Sequence, residues 1–171
     1  MRRLFGDPAI RRGVYDGLII AALIAIVVVL SVVVFPAGPD ESDSDPEYVV
    51  QLLLSFAVLA VLLMLVGLRA RRRSPDRLAG LKAGVAAGVV IAVLVTGVYL
   101  AVNNLFFDIV SQQHDKRVAF AASGWTSMRA YINVTQVEGL VVLLPMLAIV
   151  GAALGLIGGL LPALARRRAA P

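Results

Sequence analysis

Four uncharged apolar runs dominate the chain, and the segments between them carry nearly all of the charged residues. The runs occupy residues 17–35, 49–68, 83–102 and 139–161. Each is about as long as the 20 or so helical residues that cross the roughly 30 Å hydrocarbon core of a bilayer. None alternates polar and apolar positions as the strands of a membrane β-barrel do. The pattern therefore predicts four transmembrane helices.

The predicted fold is an all-α integral membrane protein that forms one four-helix domain over residues 1–171. Its four helices are expected to form two hairpins, with outer loops at residues 36–47 and 103–138. Hydrophobic residues make up 60% of the chain and charged residues 16%, against about 25% charged residues in soluble domains. The first run is longer than the apolar stretch of a signal peptide, so we expect it to remain as a span.

Basic residues are distributed unequally between the loops, and this predicts the orientation. Thirteen of the sixteen basic residues precede the first run, lie between the second and third runs, or follow the fourth. Short basic loops stay in the cytoplasm. Both termini are therefore predicted to be cytoplasmic, in a multi-pass protein of the cell membrane. The net charge of +5 follows from this rule, and we expect no nucleic-acid partner.

The interiors of the four runs contain no Asp, Glu, Lys, Arg or His. Proton-coupled transporters, pumps and intramembrane hydrolases need ionisable groups within the membrane, so these classes are disfavoured. Asp16, Lys82 and Glu138 lie only at the borders of the runs. Scattered polar side chains such as Thr96 and Asn103 are expected to make local or interhelical hydrogen bonds.

Two runs contain tandem glycines at a spacing of four, and we predict that they are helix-packing residues. They are Gly80, Gly84 and Gly88 in the third run and Gly151, Gly155 and Gly159 in the fourth. This spacing aligns glycines on one helix face and lets two backbones approach closely. If the helices are antiparallel, the pairs are Gly80 with Gly159, Gly84 with Gly155, and Gly88 with Gly151. A seam between two chains is the alternative.

Glycine outside these motifs is expected to matter less. The first two runs consist mainly of bulky Val, Ile and Leu, which suit lipid contact or ordinary side-chain packing. A leucine at Gly67 or Gly97 is therefore expected to cost much less than one at Gly84 or Gly155.

Residues 103–138 form a long connection with apolar positions at spacings of three and four, the pattern of an amphipathic helix. Ser123 and Gly124 are expected to break it into helices at about 108–122 and 126–137, which lie as a cap on the outer surface. Four bulky side chains of this segment are predicted to be interfacial or partner-binding: Phe107, Trp125, Met128 and Tyr131.

Other candidate sites are weaker. His114 is the only histidine, and without a nucleophile or a second ligand at a usable spacing it is expected to be structural, with pH sensing as the alternative. The acidic residues in 40–47 are expected to be solvated, with a bound cation as the alternative. Two arginine clusters are predicted to contact anionic lipid: Arg71, Arg72 and Arg73, and Arg166, Arg167 and Arg168.

These observations predict a non-catalytic membrane protein without a cofactor or a metal site. An accessory or scaffold subunit is favoured, binding other membrane proteins through its Gly-rich helix faces and residues 103–138. Its partners are then the lipid bilayer and other membrane proteins or further copies of itself. The alternatives are a small oligomeric channel or transporter for a neutral solute, and a surface enzyme that uses His114 with nearby carboxylates.

Overall fold

The computed structural model describes residues 6–35 and 45–168, with side chains described up to residue 161. This part of the chain forms six helices and no strand. The helices are α1 (Pro8–Val33), α2 (Pro46–Arg73), α3 (Ala79–Leu105), α4 (Phe107–Val110), α5 (His114–Ser123) and α6 (Met128–Arg168). The acidic residues 40–44 lie outside the described residues, so the cation hypothesis there is not addressed.

Four of these helices, α1, α2, α3 and α6, are long and apolar enough to cross a membrane. The predicted all-α fold and its four candidate spans are therefore confirmed. Asp7 caps the first helix, because its carboxylate accepts a hydrogen bond of 2.9 Å from the Ala9 amide, and Pro8 occupies the first turn, where its missing N–H costs nothing. Arg11 and Arg12 consequently belong to the same continuous helix as the first span.

Helix α3 lies at the centre and packs most extensively on α6 and α1. Helix α2 packs on α6 and α3, whereas the consecutive helices α1 and α2 share few contacts. The core is built largely from small residues, including Ala79, Ala83 and Ala87 of α3. Small residues let helix backbones approach closely, which is the main source of van der Waals attraction between helices in lipid.

Helix α2 packs along only part of its length. Its buried residues are Leu63, Val66, Gly67 and Ala70, all in the C-terminal half. Every residue in 46–58 is exposed, a stretch of roughly 20 Å at 1.5 Å per helical residue. We call residues 46–58 the free half of α2, because all of its residues are exposed within the described part of the chain.

The connection after α3 differs from the prediction. Gly124, with φ of +73°, ends α5 in the left-handed conformation that glycine adopts readily at helix ends, so the predicted break is confirmed there. The predicted separate helix at 126–137 is wrong: α6 begins at Met128 and continues without interruption through the fourth apolar run. The predicted helix at 108–122 is divided into α4 and α5 by a turn at 111–113.

Candidate functional site

The two tandem glycine motifs lie against each other. A Cβ atom built on Gly84 would be 3.1 Å from the Cα of Gly155. One on Gly151 would be 3.5 Å from the Cα of Gly88, and one on Gly159 would be 3.5 Å from the Cα of Gly80. These are the pairs that antiparallel alignment of the motifs predicts.

All six of these glycines are buried within the chain. Their neighbours are backbone atoms of this same chain, with only the Cβ atom of Arg71 close to Gly159 as a side-chain contact. In this structure the glycine faces hold α3 and α6 together. The hypothesis that partners bind to these faces is not tested by this packing.

Helix α2 joins the same junction through Gly67. A Cβ atom on Gly67 would lie 2.6 Å from the Cα of Gly155 and would meet the Gly155 carbonyl group. Gly158 of α6 approaches α2 in the same way, with a built Cβ 3.0 Å from the Cα of Met64. The expectation that leucine at Gly67 costs much less than at Gly84 or Gly155 is therefore wrong. Gly158 lies outside the four-residue spacing of the motif, and this additional glycine is the feature of the sequence that indicates a second packing face on α6.

A third glycine contact fixes α1 on α3. A Cβ atom on Gly13 would lie 2.7 Å from the Cα of Ala83, and one on Gly17 would lie 2.9 Å from the Cα of Ala87. Gly13 and Gly17 share the four-residue spacing of the other motifs. This pair is hard to recognise in the sequence, because Gly13 precedes the apolar run and follows two arginines.

A pair of amides links α3 to α6 near the end where α3 finishes. The Asn104 side chain donates to the Asn133 amide oxygen at 2.8 Å, and Asn133 donates back to Asn104 at 3.1 Å. Beside this pair, the Arg129 guanidinium lies 4.3 Å from the centroid of the Phe107 ring, within the range of cation–π attraction. The two asparagines are 29 positions apart, and the sequence analysis did not pair them.

The structure brings together only part of the predicted interfacial set. The rings of Trp125 and Tyr131 are 6.4 Å apart, and Phe120 lies 5.9 Å from Tyr131. Met128 lines a nearby cavity with His114 and Phe120. Phe107 instead contacts the guanidinium of Arg129.

His114 is exposed at the first turn of α5. Within the described part of the chain, no group of three or more His, Asp and Glu residues is placed to hold a metal ion. His114 lines a cavity together with Ser111, Arg117, Val118 and Met128, and no carboxylate is among the lining residues.

At the opposite end of the bundle, Lys82 connects two segments. Its ammonium donates to Asp7 at 2.9 Å and to Asp76 at 2.7 Å. These hydrogen bonds are the main cause that lowers the pKa of both carboxyls below the ordinary value of 3.8. The start of α1 and the loop before α3 are thereby tied to α3.

The predicted lipid-contacting arginines differ in their surroundings. Arg71 donates to the carbonyl oxygens of Ser74 and Pro75 at 3.0 and 3.2 Å, so it also supports the loop after α2. Arg72 and Arg73 are exposed. Arg166, Arg167 and Arg168 belong to the last turns of α6, and their side chains lie outside the described residues.

Asp16 is placed differently from the expectation for a border residue. Only 3% of it is exposed, and its Oδ2 accepts a hydrogen bond of 3.2 Å from Nε of Arg12, one turn earlier. Burial of a carboxylate is costly unless a cation accompanies it. Arg12 provides that cation and is itself held in place by the pair.

Comparison of the chain with known protein families, curated proteins and solved structures gives no match.

Proposed function

We propose that this chain is a non-catalytic accessory or scaffold subunit that binds another membrane protein along the free half of α2, with a further contact through residues 103–138. The observation that carries the proposal is the exposure of every residue in 46–58. In contrast, the buried glycines and alanines of the spans already contact other helices of the same chain.

Lipid chains are as apolar as leucine, so helices in a bilayer associate through close packing and interhelical hydrogen bonds. The residues of the free half of α2 are all exposed over several turns. Its large side chains are widely exposed, with Leu53 and Leu54 each 62% exposed. A neighbouring helix would provide packing along this stretch, and the amide of Gln51 is a polar group that such a helix could bind.

Residues 103–138 support a second contact. Trp125 is 44% exposed beside the ring of Tyr131, and aromatic side chains of this kind are enriched at protein interfaces and at membrane surfaces. The Asn104–Asn133 pair and the Phe107–Arg129 contact fix this segment relative to α3 and α6. A fixed surface loses less entropy when a partner binds.

The packing favours this role over a pore formed by one chain. Helices α2, α3 and α6 meet backbone to backbone around Gly155, which leaves no space for a solute at that level. A channel for a neutral solute would need several copies, with the path between them. The channel hypothesis requires that the protein bound to α2 is a further copy of this chain. The accessory role requires that it is a different membrane protein.

We also infer that the protein lies in the cell membrane with both termini in the cytoplasm. Support comes from the distribution of the basic residues, because thirteen of the sixteen lie on one side of the predicted spans, the side that stays in the cytoplasm. The glycine junction then lies in the inner half of the bilayer, and the free half of α2 lies in the outer half.

Affinity purification in mild detergent tests the proposed function. The double variant Leu53→Ala/Leu54→Ala removes the two most exposed leucines of the free half and should lose a co-purifying membrane protein that the wild type retains. The matched control is Ile26→Ala/Val27→Ala in α1, whose side chains are 57% and 60% exposed, and it should retain that protein. Equal recovery with both double variants would contradict binding at the free half of α2.

A further inference from the structure

A cavity of about 530 Å³ lies between the first turns of α1 and the last turns of α2. Its lining includes Arg11, Arg12 and Tyr15 from α1, and Ala70, Arg73 and Ser74 from α2 and the following residue. Three arginines are therefore among the residues that line one open cavity. Of the six arginines predicted to contact lipid, Arg73 is among the residues that line it.

Arg12 is held in position at this cavity. Its Nε donates to the buried carboxylate of Asp16 at 3.2 Å, and its guanidinium lies 5.5 Å from the centroid of the Tyr15 ring. Because the pair uses Nε, the two terminal nitrogens remain as donors in the fork that suits a phosphate group. Asp16 offsets one of the three positive charges, so the cavity keeps an excess of two.

Nearby carboxylates do not cancel this excess. Apart from Asp16, Asp7 and Asp76 are the acidic residues closest in sequence to the lining residues, and Lys82 binds both of them. Arg11 and Arg73 are exposed and can turn toward a bound anion. The electrostatic balance at the cavity therefore favours an anionic group.

The sequence places the cavity beside the predicted border of the first span. The arginines of α1 end at Arg12, and the apolar run begins at residue 17, about one helical turn further along α1. Beyond Tyr15, α1 exposes Leu18 and Ile19, and α1 and α2 share few contacts along their length. A hydrocarbon chain can follow these apolar side chains into the bilayer.

We propose that this cavity binds the phosphate headgroup of an anionic phospholipid, with Arg11, Arg12 and Arg73 as its ligands and a hydrocarbon chain lying along α1. Asp16 acts as a positioning residue that orients Arg12. This is a defined site for one lipid molecule, distinct from the general attraction of basic loops to an anionic surface, and it does not depend on the partner proposed for α2.

Two double variants with the same loss of charge test the site. Arg11→Gln/Arg73→Gln removes two ligands of the cavity, and Arg69→Gln/Arg72→Gln removes two exposed arginines of α2 that are not among its lining residues. The full chain in neutral detergent is titrated with phosphatidylglycerol, and bound lipid is counted by native mass spectrometry. Loss of two charge-assisted hydrogen bonds is expected to weaken binding by roughly tenfold or more, while the control pair should change it less than about threefold.

Three further measurements test whether the bound group is an anionic lipid and whether the variants are folded. Phosphatidylcholine should not replace phosphatidylglycerol, and inorganic phosphate at millimolar concentration should not displace the lipid, because the hydrocarbon chain contributes to binding. Helix content and thermal unfolding of both double variants should match the wild type, since all four arginines are exposed. Equal weakening by both double variants, equal binding of phosphatidylcholine, or displacement by inorganic phosphate would overturn the proposal.

Discussion

Gly67 and Gly155 bring the backbones of α2 and α6 into direct contact: a Cβ atom on Gly67 would lie 2.6 Å from the Cα of Gly155. On α3, Gly84 approaches the same residue, since a Cβ on Gly155 would lie 3.0 Å from the Gly84 Cα. Three of the four candidate spans therefore converge at Gly155. This convergence explains why α2 is packed only in its C-terminal half and leaves residues 46–58 uncovered.

The first prediction concerns this junction. Gly67→Ala and Gly155→Ala should each destabilise the protein by about 1–3 kcal/mol, because the added methyl group meets backbone atoms that cannot turn away. Gly97 is the control, since nothing lies within 4 Å of a Cβ built there. Gly97→Ala should be neutral or stabilising by up to about 1 kcal/mol, as alanine is the better helix former. Reversible unfolding in mixed detergent micelles measures all three, and a neutral Gly155→Ala would contradict the described packing.

The amide pair between α3 and α6 gives the second prediction. Asn104→Leu and Asn133→Leu each leave the other amide without its partner, so each should destabilise the protein, and the double variant should cost less than the sum. The expected coupling is about 0.6 kcal/mol, the mean for interhelical hydrogen bonds in a membrane protein. A double-mutant cycle on the same unfolding assay measures it, and strictly additive effects would show that the two side chains do not interact.

The third prediction is a pH dependence at the Lys82 cluster. Hydrogen bonds from Lys82 lower the pKa of Asp7 and Asp76 below 3.8, so their contribution to stability is fully present above pH 3.8 and is lost as the pH falls through the lowered values. Lys82→Gln removes the charge that lowers them. The difference in unfolding midpoint between wild type and Lys82→Gln should therefore be largest near neutral pH and should shrink in acid.

Arg69→Gln is the control for that experiment, because it removes one exposed positive charge on α2. Its difference from the wild type should not follow the same acid transition. A Lys82→Gln difference that stays constant from neutral pH to pH 2 would show that the two carboxylates do not depend on Lys82.

The fourth prediction tests the inferred orientation. The chain contains no cysteine, so Pro75→Cys and Ser127→Cys each introduce one thiol at an exposed position. An impermeant thiol reagent should label position 127 in intact cells and should reach position 75 only after the membrane is opened. Labelling of position 75 in intact cells would reverse the inferred sidedness.

Much of the fold could be predicted from the sequence because the bilayer imposes a length on apolar runs. All four candidate spans follow from that length, and the glycine spacing identifies the face along which α3 meets α6. The antiparallel pairs Gly84–Gly155 and Gly88–Gly151 then follow from alignment of two short motifs. These predictions depend on local periodicity, which a single sequence displays directly.

The remaining features depend on contacts that periodicity does not encode. Gly67 is a lone glycine in a bulky helix, and its contact with Gly155 exists only because α6 packs on α2 and α3 together. The ties between Asn104 and Asn133 and between Lys82 and Asp7 join distant positions. Helix α6 continues across the predicted boundary because nothing between Met128 and Glu138 breaks a helix: neither proline nor glycine occurs there.

Photo-crosslinking at the free half of α2 tests the central claim most directly. A photoreactive amino acid is placed at Leu54 in cells that make the protein at its native level. Val27 of α1 is the control for an exposed position, and Leu63 is the control for a buried position in α2. The proposal predicts an adduct of defined mass with a different membrane protein at position 54 and none at position 27 or 63. Adducts at position 54 with lipid alone, or with a second copy of this chain, would contradict the accessory role.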